Sequence, residues 1–350
     1  MRQSPPGLAV SAASAKFERR KVAEDQSLPD FDDVKAASGR LLGQAVRTPV
    51  IEAPLLNEKA RGRVLIKPEC LQRTGSFKFR GGWNCISQLD KSEWPGGVVA
   101  YSSGNHAQGV AAAAQICGLP AVIVMPADTP QIKKDNTRRL GAEIVEYDRA
   151  SQAREEIAAK LAGERKAALV PPFDHPDIIA GQGTAVMELI EELAARGDRL
   201  DQLIVPAGGG GLLAGSMLSA KALSPETQVY CAEPAGFDDH ARSLATGARQ
   251  INNKATGSIC DALLSPQPGQ LTFAINGPVL AGGLVVSDDE VRAAMRFAFS
   301  HLKLVVEPGG SVALAAILSG KIDTQDKSTG IILSGGNVDP GLFGETLIAA

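Results

Sequence analysis

The sequence has no run of 18 or more apolar residues, so a membrane-spanning helix is not expected. It has no surplus of positive charge. Its 36 Lys and Arg stand against 39 Asp and Glu, a formal net charge of -3, which argues against a nucleic-acid footprint. Cysteine is sparse and odd in number: Cys70, Cys85, Cys117, Cys231 and Cys260 include no CxxC pair. That pattern fits reduced thiols in a cytoplasmic protein rather than a disulfide framework. The four histidines, His106, His175, His240 and His301, lie far apart without zinc-type spacing, so no dedicated His/Cys metal site is expected. Aromatic residues make up only 4% of the chain.

Glycine is abundant, with 37 in 350 residues, as in α/β enzymes whose turns bring backbone into close contact. The length suits one large or two modest domains. Residues 1–29 carry Pro and Ser early and mixed charge later, and read as a flexible tail rather than a targeting segment. A helix is expected from Phe31 to Gln44, with Asp30 as N-cap and Val34, Ala37, Leu41 and Leu42 on one face. Nine short apolar runs then alternate with helix-like stretches. They are Val64–Ile66, Val98–Tyr101, Ala121–Met125, Glu143–Tyr147, Ala168–Val170, Leu203–Val205, Gln228–Cys231, Gly283–Val286 and Gly330–Leu333. Continuous apolar strands between helices argue for parallel sheets covered on both faces. Nine are too many for one minimal unit, so two open, mainly parallel twisted sheets flanked by helices are expected. A single eight-stranded barrel is the alternative. No repeat or low-complexity tract is visible, and the chain stops soon after Gly336, so no C-terminal regulatory domain is expected.

Four stretches carry chemistry. In Leu71–Gly82 (LQRTGSFKFRGG), Lys78 sits in a small or apolar run at the start of a helix. It reads either as a surface lysine or as a Schiff-base lysine, whose amine sheds its proton when buried near positive charge. Arg80 either supplies that charge or is a solvated helix residue. Ser102-Ser103-Gly104-Asn105-His106-Ala107-Gln108-Gly109 joins a strand to an Ala-rich helix. It is either an ordinary capped turn or a carboxylate or phosphate site at a helix N-terminus. The Val205–Leu212 stretch contains Gly208, Gly209, Gly210 and Gly211 between a strand and a helix. That spacing suits one phosphate held by backbone N–H groups and is neither GxGxxG nor a Walker loop. Leu333–Asn337 (LSGGN) ends the last strand, where open α/β sheets bind ligands.

Together SFKFRG, SSGNHAQG, PAGGGGL and LSGGN, in this order, resemble the fold-type II pyridoxal-phosphate (PLP) enzymes, in the branch of threonine/serine dehydratases and serine racemases. The resemblance spans about residues 31 to 340. It implies a tryptophan synthase β-like fold with the cofactor in a cleft between domains. A large domain of residues 30–94 plus 166–350 and a small domain of residues 95–165 are expected. It also implies a homodimer or other homo-oligomer, with no membrane or nucleic-acid partner. By position, Lys78 carries PLP and later acts as base at Cα, and Phe77 packs near the ring. Asn105 bonds the ring hydroxyl, and Gly208, Gly209, Gly210, Gly211 and Leu212 hold the phosphate. Ser334 faces the pyridine nitrogen, and Glu307 lies near the ring. Ser102, Ser103, Asn105 and His106 lie where the family binds the substrate carboxylate. A neutral Ser334 leaves the ring a weaker electron sink than a carboxylate would, which suits β-elimination over transamination.

The implied reaction is dehydration and deamination of a β-hydroxy amino acid such as L-threonine or L-serine to a 2-oxo acid and ammonia. Ser103 complicates this, because racemases of the branch use a serine there as acid/base on the face opposite Lys78. Serine racemisation with side dehydration is therefore the alternative, as is a dehydratase specific for 3-hydroxyaspartate or 3-phenylserine. The racemase branch also uses a glutamate, a backbone carbonyl and an aspartate to bind Mg²⁺ or Ca²⁺; here these are Glu233, Phe237 and Asp239. The stretches Arg80–Trp83 and Ser258–Ala262 depart from the family's usual residues and are expected to shape the substrate pocket.

Overall fold

The computed structural model describes residues 28–129, 131–148 and 151–348. The tail expected at residues 1–29 thus lies, apart from Leu28 and Pro29, outside the described residues. The nine apolar runs are all strands, arranged in two open sheets and not in a barrel. One sheet contains β1 (Arg63–Pro68), β6 (Gln202–Pro206), β7 (Gln228–Pro234), β8 (Gly282–Val286) and β9 (Ser328–Leu333), in the order β1-β9-β6-β7-β8. The other contains β2 (Val98–Tyr101), β3 (Ala121–Pro126), β4 (Glu143–Tyr147) and β5 (Ala168–Leu169), in the order β4-β3-β2-β5. Every pairing between these strands is parallel. The second sheet is drawn wholly from the chain between β1 and β6. Because β5 pairs with β2, that sheet extends past the boundary expected at residue 165.

The helices among the described residues are α1 (Phe31–Leu41), α2 (Pro54–Ala60), α3 (Lys78–Ile86), α4 (Asn105–Cys117), α5 (Gln131–Arg139), α6 (Arg154–Arg165), α7 (Pro176–Ala195), α8 (Gly211–Leu223), α9 (Asp239–Thr246), α10 (Gln270–Asn276), α11 (Asp288–Phe297), α12 (Pro308–Leu318) and α13 (Pro340–Ile348). Asp30 caps α1 as expected, in a reciprocal box with Asp33, and Val34, Ala37 and Leu41 are buried. The helix stops three residues short of Gln44. Leu42 takes an extended ψ of 124° and is 84% exposed, so it does not belong to the apolar face.

Alternation along the strands of the larger sheet feeds a core on each side. Ile204, Ile331 and Leu333 pack with α2, α11 and α12, while Leu203, Val205 and Ile332 pack with α7, α8 and α10. In the smaller sheet Val98, Ala100, Ile123 and Met125 face α3 and α4, and Val99, Val122 and Val124 face α6. The helix that begins at Lys78 is therefore seated under the second sheet. Gly109 lets α4 lie against its first turn: a Cβ there would stand 3.0 Å from the Lys78 carbonyl group. Gly82 and Trp83, expected at the substrate pocket, are buried between helices instead. Gly82 abuts the Gly109 backbone, and the Trp83 indole N–H donates to the Arg40 carbonyl at 2.7 Å. All five cysteines are free thiols. No described helix is long and apolar enough to cross a membrane.

Candidate active site

The four chemistry-bearing stretches converge where strands of both sheets end. Lys78, Ser102–His106, Gly208–Leu212, Glu307 and Ser334 line one cleft, which includes about 980 Å³ of non-atom space with its open mouth. Two contacts pin the lysine segment to the end of β9. The Phe77 N–H donates to the Ser334 carbonyl at 3.1 Å, and Ser76 forms a bridge with Gly335. Lys78 Nζ donates to the Pro172 carbonyl at 2.5 Å and lies 5.2 Å from the Phe77 ring centre. Burial brings its pKa down to about 8.

Arg80 plays no part in that shift and is not solvated. It is fully buried and points away into a network with Glu69 and Glu188, each at 2.7 Å, which Lys67 joins through Glu188 at 2.6 Å. The spacing in sequence could not place these partners, because Glu188 is 108 residues away.

At the start of α4 the N-cap is Gly104, without a side-chain cap. The Ser102 hydroxyl accepts the Gly104 N–H at 3.2 Å. Ser103 therefore does not cap the helix, and it lines the cleft. His106 is buried, with Nε2 2.9 Å from the Val170 carbonyl and Nδ1 without a partner among the described residues. Burial, and secondarily the charge of Lys78, push its pKa down to about 3. Its ring is thus neutral, with the proton on Nε2. What it offers a carboxylate is main-chain N–H in the first helical turn rather than positive charge.

Asn105 is oriented from both ends. Its Nδ2 donates to Glu307 Oε1 at 2.5 Å, and its Oδ1 accepts from Asn337 Nδ2 at 2.8 Å. Asn337 in turn donates to the Thr74 carbonyl at 2.8 Å. Burial, reinforced by Asp261, raises the Glu307 pKa to about 7 against the opposing bond from Asn105.

The glycine turn leaves β6 and enters α8 through Gly210, whose φ is +92°, with no side-chain cap. The carbonyls of this turn are used: Gly209 accepts from Gly269 N–H and Thr272 Oγ1, and Gly210 accepts from Ala214 N–H. The N–H groups of Gly208 to Leu212 have no acceptor among the described loop and cap bonds, which leaves them as a concave anion cradle.

Beside this turn lies a second cluster. Glu233 is the penultimate residue of β7 and accepts the N–H groups of His240 and Ala241 at the start of α9, both at 2.9 Å. Asp239 accepts from Asn252 at 2.7 Å through Oδ1, while its buried Oδ2 has no partner among the described residues. Burial, then the charge of Glu233, raise its pKa to about 7. His240 completes the cluster, with Nδ1 3.3 Å from Glu233 Oε1 and 3.7 Å from Asp239 Oδ2. No dedicated His/Cys metal site was expected, and here a single histidine joins two carboxylates in a cluster. The signal was its place next to Asp239, which histidine-to-histidine spacing does not reveal. Cys85, His175 and Asp177 also gather, but there His175 Nδ1 accepts the Asp177 N–H at 3.2 Å as the cap of α7.

Several cleft residues had no signal in the sequence. Arg154 begins α6, lies 5.5 Å from the Tyr101 ring centre and pairs with Glu155 at 2.8 Å. Phe173 also lines the cleft. Of the Ser258–Ala262 stretch, Asp261 and Ala262 reach it, whereas Ser258 turns to Asp288 at 2.6 Å.

A lysine that is partly unprotonated at neutral pH, set beside an anion cradle at the ends of parallel strands, defines an α/β protein built around an amine-reactive, phosphate-bearing group. The chain belongs to the pyridoxal-phosphate dependent enzymes, whose family profile matches residues 41–335. It is 45% identical over 313 residues to the L-threo-3-hydroxyaspartate ammonia-lyase of Pseudomonas sp, covering 89% of this chain and 96% of that one. To the serine racemase of Schizosaccharomyces pombe it is 40% identical over 312 residues, covering 89% and 95%. The solved serine racemase of Dictyostelium discoideum superposes with a TM-score of 0.83 at 39% identity, covering 89% of this chain and 100% of that one. A solved threonine deaminase superposes equally well, with a TM-score of 0.83 at 42% identity, covering 89% and 99%. The two-sheet fold is the fold-type II arrangement of these enzymes.

Proposed function

We propose that this protein dehydrates and deaminates a β-hydroxy amino acid to a 2-oxo acid and ammonia, and prefers a substrate bearing a second carboxylate, of the 3-hydroxyaspartate type. The observation that carries the preference is Arg154, a guanidinium lining the same cleft as Lys78 and the start of α4. Threonine and serine have no second carboxylate to offer it. The Pseudomonas relative, named for L-threo-3-hydroxyaspartate, supports the same reading.

The residues present fit the cofactor: an amine brought down to about 8 and a row of unclaimed backbone N–H groups answer its aldehyde and its phosphate. Bound pyridoxal phosphate supplies an electron sink conjugated with the substrate Cα. Lys78 holds the cofactor and then takes the Cα proton on Nζ, which its lowered pKa makes available near neutral pH. The N–H groups of Gly208, Gly209, Gly210, Gly211 and Leu212 hold the phosphate. Asn105, whose amide Glu307 fixes, would bond the ring hydroxyl, Phe77 would pack near the ring, and the neutral Ser334 would serve the ring nitrogen. The backbone of Ser102, Ser103, Asn105 and His106 takes the α-carboxylate, and Arg154 takes the distal one. The unit around the second sheet, with β5 included, closes over the cleft and excludes water. Glu233, the Phe237 carbonyl and Asp239 hold a divalent cation, which the bare Asp239 Oδ2 supports.

Ser103 favours a second reading, racemisation, because its hydroxyl is free of capping duty and lines the cleft. A panel of L-threo-3-hydroxyaspartate, L-threonine and L-serine, assayed for both oxo acid and enantiomer, separates the two. Arg154→Leu should lower kcat/KM for hydroxyaspartate by about 100-fold, a loss of roughly 3 kcal/mol. It should change the value for threonine less than threefold. Equal losses for both substrates would remove Arg154 from substrate selection, and faster D-serine than pyruvate formation would favour the racemase.

A further inference from the structure

We propose that His240 is itself a ligand of the cation at Glu233 and Asp239, making this a mixed nitrogen and oxygen site that selects a transition ion such as Mn²⁺ over Mg²⁺ and Ca²⁺. The inference rests on the cation reading above and changes its chemistry. The expected ligands were oxygen only, a set that suits hard ions. His240 is buried at 2% exposure, and its Nδ1 faces two carboxylates, 3.3 Å from Glu233 Oε1 and 3.7 Å from Asp239 Oδ2. All three side chains offer a donor atom within 4.8 Å of the others.

Two features point to an ion rather than a closed hydrogen-bond set. Nδ1 is close to Glu233 but not aligned as a hydrogen bond, and Asp239 Oδ2 has no donor among the described residues. Burial lowers the pKa of this ring, but Glu233 and Asp239 outweigh it and raise it, so without an ion the ring holds a proton between the carboxylates; a bound cation takes that proton's place between Nδ1 and the two oxygens. The 3.3 Å separation from Glu233 suits one, because ligands bound at about 2.1–2.5 Å and at right angles lie roughly 3.0–3.5 Å apart, and the 3.7 Å from Asp239 is slightly wider. Imidazole nitrogen raises the affinity for transition ions, while Mg²⁺ and Ca²⁺ gain little from it.

The other ring nitrogen looks toward the anion cradle. A Cβ on Gly210 would stand 2.6 Å from His240 Nε2, and that nitrogen has no partner among the described residues. The imidazole thus spans from the cation to the N-cap of the glycine turn. With the proton on Nε2, the Nδ1 lone pair is left for the metal.

The test uses holoenzyme stripped of divalent ions by chelation and then titrated with Mn²⁺, followed by the loss of the free-ion paramagnetic resonance signal, with Mg²⁺ and Ca²⁺ as competitors. Wild-type protein should bind one Mn²⁺ at least about 10-fold more tightly than Mg²⁺. Pulsed resonance of the bound ion should show coupling to a nitrogen-14 nucleus. His240→Ala should weaken Mn²⁺ binding by at least about 10-fold and abolish the nitrogen coupling, leaving Ca²⁺ affinity within a factor of three. If His240→Ala does not fold, the nitrogen coupling in the wild type still decides. Tight Mn²⁺ binding without nitrogen coupling overturns the role of His240 while the oxygen site stands. No saturable binding of any divalent ion overturns both.

Discussion

An amine adds to an aldehyde only after losing its proton, so the reactivity of Lys78 follows its pKa. Burial disfavours the ammonium and brings that value to about 8 from the ordinary 10.5. His106, the titratable ring whose pKa Lys78 itself depresses, stays neutral and adds no charge. Below pH 8 the protonated, inert form predominates; above it the free base does. In cofactor-free protein, the rate of forming a borohydride-trappable adduct with pyridoxal phosphate should therefore rise with pH to a midpoint near 8. A midpoint near 10.5 would show that the lysine is solvated in solution. Lys78→Ala should form no adduct and lose turnover altogether.

At the scale of elements, the glycine turn matters through its shape. Gly210 needs both its positive φ of +92° and the missing Cβ, which would otherwise stand 2.6 Å from His240 Nε2 and 2.9 Å from Thr272 Oγ1. Gly210→Ala must either rotate the turn or push those side chains away, and both outcomes misalign the N–H cradle. Cofactor affinity should fall by at least about 10-fold, or roughly 1.4 kcal/mol, with the KM for substrate little changed once the cofactor saturates. Gly208 has no left-handed φ, and its Cβ would meet Leu263 at 3.1 Å, so Gly208→Ala should cost less. Titrating apoprotein with cofactor ranks the two.

These elements were legible in different degrees. Strands buried on both faces leave continuous apolar runs, so all nine could be placed, and turn glycines between strand and helix marked the cradle. The two-residue strand β5 has no room for a period, and it lies past the boundary expected at residue 165. Leu42 continued the helical spacing of α1, yet the backbone had already turned extended. Arg154 joined its cluster by tertiary contact, of which a helix-opening arginine gives no sign, whereas His240 could be read only from its place next to Asp239.

The whole molecule is tied together by buried charges whose partners the sequence did not show. Arg80 contacts both carboxylate oxygens of Glu69 and both of Glu188, and Lys67 adds a bond to Glu188 and another to the Thr48 carbonyl. Two cations and two anions thus join the end of β1, the following turn, α3 and α7. The first residue of α3 is Lys78, so the network also anchors the reactive helix. Burial pushes the Glu69 pKa up, but Arg80 and Lys67 outweigh it and hold the carboxyl below its usual range. Its contribution to stability is therefore present at neutral pH and is lost as pH falls through the acid range. Removing one partner leaves a buried carboxylate without its cation. Arg80→Met should cost about 3–5 kcal/mol in urea unfolding. Because Glu69→Gln removes part of the charge left behind, the double variant should lose less than the sum of the single losses, with a coupling above about 1 kcal/mol. Additive losses, or an Arg80→Met cost below about 1 kcal/mol, would mean that α3 is held by its apolar contacts with the second sheet alone.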